Sequence, residues 1–360
     1  MAIWDIKERN KKVRSNEIKG TRGFFSGGQD PGGTSAAIDM ITFVSGGGAV
    51  DFGDISIGTH QLGGGNAGST TRGFVRFGGE NASGYYETPC EVINTRGGTG
   101  TISHTFGDLT VGSSGKAVFS NQIRAVTGGG AITPNGDAQN VIDYFTIATY
   151  GNATDFGDLT VARAGSDGLA SPTRGIFAGG FVGPATMKNE IDYVTIASTG
   201  NATDFGDLSE IKRTFGTGTN RTRAVIGGGQ TGGSPFPTVK TMEYFTIATT
   251  GNGTDFGDLT AERQTRGVSN SVDIIFGGGS TTNILEKMTI ANLANTVDFG
   301  DLTKTFNSHF AASDGHGGLP EEIINMQRPS VTYMPGSGRA LMLGGENDSG
   351  KTNSINLTFI

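Results

Sequence analysis

Apolar and polar residues along this chain alternate in short runs punctuated by glycine, and no stretch shows the three-and-four spacing of an amphipathic helix. The run Glu190-Ile191-Asp192-Tyr193-Val194-Thr195-Ile196-Ala197 alternates and is rich in β-branched and aromatic side chains, so it predicts a strand. Around it, residues 163–209 read as one four-stranded unit. The small residues 164–170 suit a narrow inner strand, and Ser171-Pro172-Thr173 is a turn. Arg174-Gly175-Ile176-Phe177-Ala178-Gly179-Gly180 is a second strand, ending in a diglycine that asks for positive φ or close backbone approach. The Glu190 run is the third strand, Thr199-Gly200-Asn201-Ala202 turns the chain, and Thr203 to Leu208 is the outer strand.

That outer strand carries a phrase, Asp-Phe-Gly-Asp-Leu, that returns along the chain with its phenylalanine at Phe52, Phe106, Phe156, Phe205, Phe256 and Phe299. The period is roughly fifty residues, which for four strands and no helix predicts one β-propeller blade per repeat and a single domain over residues 1–360. Phe156 and Leu159 lie on opposite faces of a straight strand, or on one face if Gly157 forms a bulge; a blade covered on both sides can bury them either way.

The diglycine occurs seven times, at Gly27, Gly78, Gly128, Gly179, Gly227, Gly277 and Gly344, but the outer phrase only six times. The last repeat ends at Ser354 to Phe359, which matches a third strand, so its fourth strand is missing. Ala2-Ile3-Trp4-Asp5-Ile6 through Arg9 has the spacing of the missing phrase, with Trp4 in the place of the phenylalanine. The expectation is seven blades, closed by residues near Ile3 to Ile6 pairing with Ile355 to Phe359, which hides two sheet edges. Six and eight remain the alternative counts. Between Leu302 and Gly344 the pattern is stretched, and residues about 307–332 form an irregular insertion, read as a surface excursion or a degenerate blade.

Composition narrows the functional classes. A formal net charge of -7 argues against a nucleic-acid partner, which needs a basic face. The basic run Lys7, Arg9, Lys11, Lys12 and Arg14 is read as solvated or as touching an acidic neighbour. A single cysteine, Cys90, rules out an internal disulfide. The chain starts with charge before any apolar run, unlike a signal peptide, and no stretch nears the roughly 18 apolar residues of a membrane-spanning helix, so no membrane insertion is expected.

Candidate chemistry is sparse. Asp155 and Asp158 lack the ligand ladder of a calcium loop and read as turn-capping residues. The Asp-Phe-Gly string stands without a kinase lysine or catalytic loop. His60, His104, His309 and His316 form no zinc or hydrolase motif, and Cys90 near Tyr85 and Tyr86 is a thin match to a copper-radical oxidase. No enzyme and no cofactor is expected. Arg22, Arg72, Arg124, Arg174, Arg223 and Arg339 open second strands, while Asp39, Glu91, Asp143, Asp192, Glu243 and Glu286 sit in third strands. The expectation is one Arg-carboxylate bond per blade, the alternative a ring of arginines for an anionic glycan or phosphate. Candidate interaction residues lie where the repeat fails: Tyr85, Tyr86, His309, His316, Glu321, Glu322 and Arg328.

The order Arg-Gly-x-Phe-x-Gly-Gly, then Ile191-Asp192-Tyr193, then an aromatic outer strand resembles kelch-type propeller repeats, although their usual Trp is represented only by Trp4. More specifically, Tyr144-Phe145-Thr146-Ile147-Ala148 with Gly151-Asn152-Ala153-Thr154-Asp155-Phe156-Gly157-Asp158-Leu159-Thr160 looks like repeats in virion structural and tail-associated proteins of marine tailed phages, especially those infecting cyanobacteria. The resemblance runs over essentially the whole chain. It implies a kelch-like β-propeller in the virion, assembled in the host cytoplasm in multiple copies. Such a protein would be tail or tail-fibre associated and would bind other virion proteins or a host surface glycan.

Overall fold

The computed structural model describes residues 22–43, 46–60, 63–132, 137–183, 186–279 and 282–319, with the backbone of 339–340 and 355–356. Every regular element among them is a strand. The chain divides into two compact units, residues 1–17 with 321–360 and residues 18–320. In the first, Arg339–Ala340 pairs antiparallel with Ile355–Asn356. The expected pairing of Ile3 to Ile6, and Trp4 itself, lie outside the described residues.

The described residues of the second unit form a propeller-like arrangement whose regular blades are meanders running from inner to outer strand. Four blades are regular. Blade three is Ala117–Ser120, Arg124–Gly128, Val141–Thr146 and Thr154–Asp158. Blade four is Asp167–Ala170, Arg174–Val182, Thr186–Thr195 and Thr203–Asp207. Blade five is Gly216–Thr219, Arg223–Gly227, Thr241–Thr246 and Thr254–Asp258. Blade six is Arg266–Ser269, Asp273–Gly277, Ile284–Thr289 and Val297–Asp301.

The remaining two blades are irregular. In blade two, Arg72–Asn81, Tyr86–Asn94 and His104–Asp108 form a sheet with Thr59–His60. On its inner side Ala67–Ser69 meets the second strand, Phe74 N–H donating to Ala67 O at 3.1 Å and Gly68 bridging Gly73, while the preceding Gly64–Asn66 pairs in parallel with blade three and reaches Asp167 of blade four. Blade one takes its second, third and outer strands from Arg22–Ser26, Ala37–Thr42 and Val50–Asp54. Its inner strand is Phe310–Ser313, from the far end of the unit.

The seven blades expected from the sequence are not confirmed: among the described residues Phe310–Ser313 pairs with Arg22–Ser26 of blade one, and the residues expected to build a seventh blade lie largely outside the described residues. The join reproduces the ordinary inner turn. In blade three, Asn121 Oδ1 accepts from the Arg124 N–H at 2.8 Å, and the Asn121 N–H donates to the Arg124 carbonyl at 3.0 Å. At the closure Asp314 does the same with Arg22, at 3.0 and 3.2 Å, across a gap of 292 positions. Among the described residues the pairing joins the two ends of the array. A chain of residues 18–320 is therefore expected to fold with one cooperative thermal transition; multiple transitions or an unfolded chain in circular dichroism would refute this closure.

The recurring phrase is a joint between neighbouring blades. Ile142 faces Gly157 and Asp143 faces Asp155, so Phe156 is the extra residue of a bulge. The bulge brings Phe156 and Leu159 into one cluster with Phe177, Val194 and Ile196 of blade four, settling the one-face alternative. Burial of such a phenylalanine contributes about 1.5 to 3 kcal/mol. Gly157 has φ 146°, and a Cβ there would lie 2.5 Å from Gly200, so glycine lets the next repeat's Gly-Asn turn approach. That turn covers the outer edge: Gly200 N–H donates to Phe156 O at 2.7 Å, and Asn201 Oδ1 accepts from the Asp158 N–H at 3.1 Å. Across the closure, Gly47 N–H donates to Phe299 O at 3.1 Å.

Candidate functional site

The ionisable residues singled out in the strands serve the blade joints. The residue after each phrase donates to the third-strand carboxylate of the following blade. Thr110 reaches Asp143 at 2.7 Å, Thr160 reaches Asp192 at 2.7 Å, and Thr303 reaches Asp39 across the closure at 2.6 Å. Ser56 to Glu91, Ser209 to Glu243 and Thr260 to Glu286 complete the series. The cations on these carboxylates differ from those expected. Arg76 binds Glu91 at 2.7 Å, Arg163 binds Asp192 at 3.0 Å, Lys212 binds Glu243 at 3.3 Å and Arg263 binds Glu286 at 2.9 Å.

Arg22, Arg72, Arg124, Arg174 and Arg223 instead donate to main-chain carbonyls one blade further on, as Arg124 does to Ile196 O and Arg174 to Ile247 O, both at 2.9 Å, while the Arg339 side chain lies outside the described residues. Arg124 also lies over the Tyr144 ring at 4.5 Å and Arg174 over Tyr193 at 4.3 Å. The expected bond between these arginines and the third-strand acids is thus replaced by a carbonyl and an aromatic face, because the acid is already engaged between blades.

The other predicted positions separate. Phe52, Phe106, Phe156, Phe205 and Phe256 are buried, whereas Phe299 is only partly so. Tyr85 is 70% exposed at the tip of the long blade-two hairpin. Tyr86 beside it is part-buried; burial and then the Glu80 carboxylate raise its phenol pKa, against a hydrogen bond with Ser114. His309 and His316 do not reach the surface. His309 packs between Phe25 and Phe306, with ring centroids at 5.7 and 5.9 Å. His316 Nδ1 accepts from the Gly318 N–H, leaving Nε2–H to donate to Ser120 Oγ at 3.2 Å. Cys90 is buried in the blade-two core, where burial pushes its thiol up. Glu321, Glu322 and Arg328 lie outside the described residues. Among the described residues no three His, Cys, Asp or Glu side chains gather as a metal site.

The site that sequence reasoning missed lies where the inner strands begin. The residue preceding each inner strand's entry to the axis bridges the residue following a diglycine: Asn307 with Gln29, Ser114 with Ala131, Ala164 with Phe181 and Arg213 with Gln230. The backbone pairing is constant, Arg213 N–H donating to Gln230 O at 3.0 Å and Asn307 N–H to Gln29 O at 2.9 Å, while the side chains differ from blade to blade. Together with His60, Gln264, Thr214 and Ser308 these residues line a cavity of about 380 Å³.

Arg266 also lines the cavity; it binds Asp167 at 3.3 Å and donates through Nε to His309 O at 3.0 Å. Burial raises the Asp167 carboxyl to about 6, opposed by Arg266 and the Phe215 N–H. Along the axis, Gly64 leaves no room for a side chain, since a Cβ there would fall 1.1 Å from Asp167 Oδ1, and Asn66 Nδ2 donates to Gly267 O at 3.0 Å. Further along the inner strands, the Gly317 N–H donates to Thr219 Oγ1 at 3.1 Å.

Arg213 is the distinctive cation. Its guanidinium lies over the rings of Phe181 at 4.8 Å and Phe236 at 4.4 Å, and Nε donates to Gln230 Oε1 at 3.0 Å. Burial lowers its pKa. The sequence signal was the changing residue ahead of each inner strand, Gly115, Gly165, Thr214 and Ser308, which carries no hydrophobic period. No protein-family model matches the chain, and no curated protein is significantly similar to it.

Proposed function

We propose that this chain is a non-enzymatic structural protein of a tailed-phage virion, tail or tail-fibre associated, that presents one face of a rigid propeller to other virion proteins. The observation that carries this reading is a contrast between two sets of loops. Inner turns repeat the same capping bond: Ser69 to Arg72, Asn121 to Arg124, Ser171 to Arg174 and Asn220 to Arg223. Loops after the second strands differ among the described residues, from the long hairpin ending near Tyr85 and Tyr86 to the Gly232 to Pro237 loop that brings Phe236 onto Arg213. A uniform scaffold with a varied rim holds its loops in place before binding, which reduces the ordering cost of association.

The resemblance of the Gly-Asn-Ala-Thr-Asp-Phe-Gly-Asp-Leu-Thr repeat to cyanophage virion proteins supports the location. The use of third-strand acids and their cations in blade joints supports a non-catalytic role, because the repeated ionisable groups are committed to structure. Mass spectrometry of purified particles of the encoding phage is expected to find the chain in stoichiometric amount, and cryo-electron microscopy to place the varied loops against a neighbouring protein. Absence from purified particles would refute the reading.

A further inference from the structure

We propose that the axial cavity is a binding site for a carboxylate-bearing pyranose, either as a free sugar acid or as the terminal residue of an acidic glycan. This goes beyond the virion reading and does not rest on it. Three independent features converge on the cavity, whose volume of about 380 Å³ falls within the range of small-ligand pockets.

The first is an available cation. Arg213 is held by Gln230 and by two aromatic faces, and among the described residues no carboxylate lies within ion-pair distance of it. A guanidinium fixed in this way is suited to a planar carboxylate, which its Nη groups can bind by charge-assisted hydrogen bonds. The second is backbone strain at two hydroxyl side chains of the cavity wall. Gly115 and Gly165 have φ 65° and 64°; at the corresponding places Thr214 and Ser308 have φ 56° and 53°. A non-glycine residue is disfavoured there, and both line the cavity. The third is unfilled hydrogen-bonding capacity: Asn307 Oδ1 and His60 Nδ1 are buried without a partner among the described residues. A cation, hydroxyls and unpaired polar atoms fit a ligand with one carboxylate and several hydroxyls.

The test is calorimetric titration of the full chain with D-glucuronate, a galacturonate trimer and D-glucose. Saturable binding of glucuronate, with glucose weaker by about tenfold or more, is expected from the charged contact. Binding of the trimer alone would assign the site to a glycan terminus; binding of the monosaccharide shows that the free acid suffices, and both support the proposal. Arg213→Gln is expected to weaken binding by about tenfold or more. Because that change also removes the contacts with Phe181 and Phe236, Thr214→Gly and Ser308→Gly serve as independent variants. Each restores the residue found in blades three and four, so the melting temperature should hold or rise while affinity falls by about threefold to tenfold. No saturable binding of either acid, equal binding of glucose, or affinity unchanged in all three variants would overturn the proposal.

Discussion

Replacing Phe310 with aspartate is expected to abolish cooperative folding of residues 18–320. Phe310 is fully buried, faces Ser26 across the closing pair and packs against Phe77 with ring centroids 5.7 Å apart. Losing a buried phenylalanine costs about 3 to 5 kcal/mol. An unpaired carboxylate in its place adds a further several kcal/mol, or remains protonated at similar cost. Together these approach the roughly 5 to 15 kcal/mol by which whole domains are stable. The same change at Phe299, partly buried beneath Lys287 at 5.8 Å, is expected to leave a folded protein with a lowered melting temperature. Thermal melts followed by circular dichroism compare the two; a Phe310→Asp protein melting within a few degrees of the parent would mean that Phe310–Ser313 does not close the array.

The second large effect is a concealed dependence on pH. Burial pushes His309 down to about 3, assisted by the Arg266 charge and opposed by a Gly277 carbonyl, and pushes His316 down to about 4. Both stay neutral in the fold while the unfolded chain takes up protons below its ordinary value of about 6.5. Their contribution is complete above that value and is lost as pH falls through the folded pKa values. Asp167 and Asp314 act in the opposite direction. Burial raises both to about 6, so the folded state holds these protons more tightly and gains stability as pH falls from about 6 toward 4.

The four groups therefore oppose one another between about pH 6 and 4. His309→Met keeps an apolar side chain between Phe25 and Phe306 and removes one destabilising term. Between pH 7 and 4.5 this variant is expected to lose less stability than the parent, by about 2 to 3 kcal/mol at 1.36 kcal/mol per pH unit. Asp167→Asn removes a compensating term and should steepen the loss. Urea denaturation at the two pH values measures both; parallel pH dependence in all three proteins would refute the assignment of these titrations.

The all-β class, the repeat length and the strand order within a blade were legible in the sequence because they are local. The Glu190 run alternates over consecutive residues, and Phe156 and Leu159 announce their burial by returning every fifty positions. Sequence also placed the described diglycines, although in blades three, five and six the positive-φ pairs are Gly129 and Gly130, Gly228 and Gly229, and Gly278 and Gly279, each one residue beyond the predicted pair. The identity of the closing strand was not local. Phe310-Ala311-Ala312-Ser313-Asp314 resembles Ala117-Val118-Phe119-Ser120-Asn121 in having small or apolar residues before a capping side chain, but its partner is Arg22.

Tertiary structure decided which partner each repeated charge received. Asp192 meets Thr160 and Arg163, and Arg174 meets the carbonyl of Ile247, because blades stack face to face and each side chain reaches into its neighbour. It also decided where the candidate site lies. Arg213, Thr214, Asn307 and Ser308 stand at the ends of inner strands, where no alternation marks them, and only the circular arrangement of the blades brings them around one cavity. The sequence by itself determined the repeating blade, since hydrogen-bonded strands and buried phenylalanines follow from residues near one another. Closure and cavity depend on contacts between residues hundreds of positions apart, and these were set only when the blades packed.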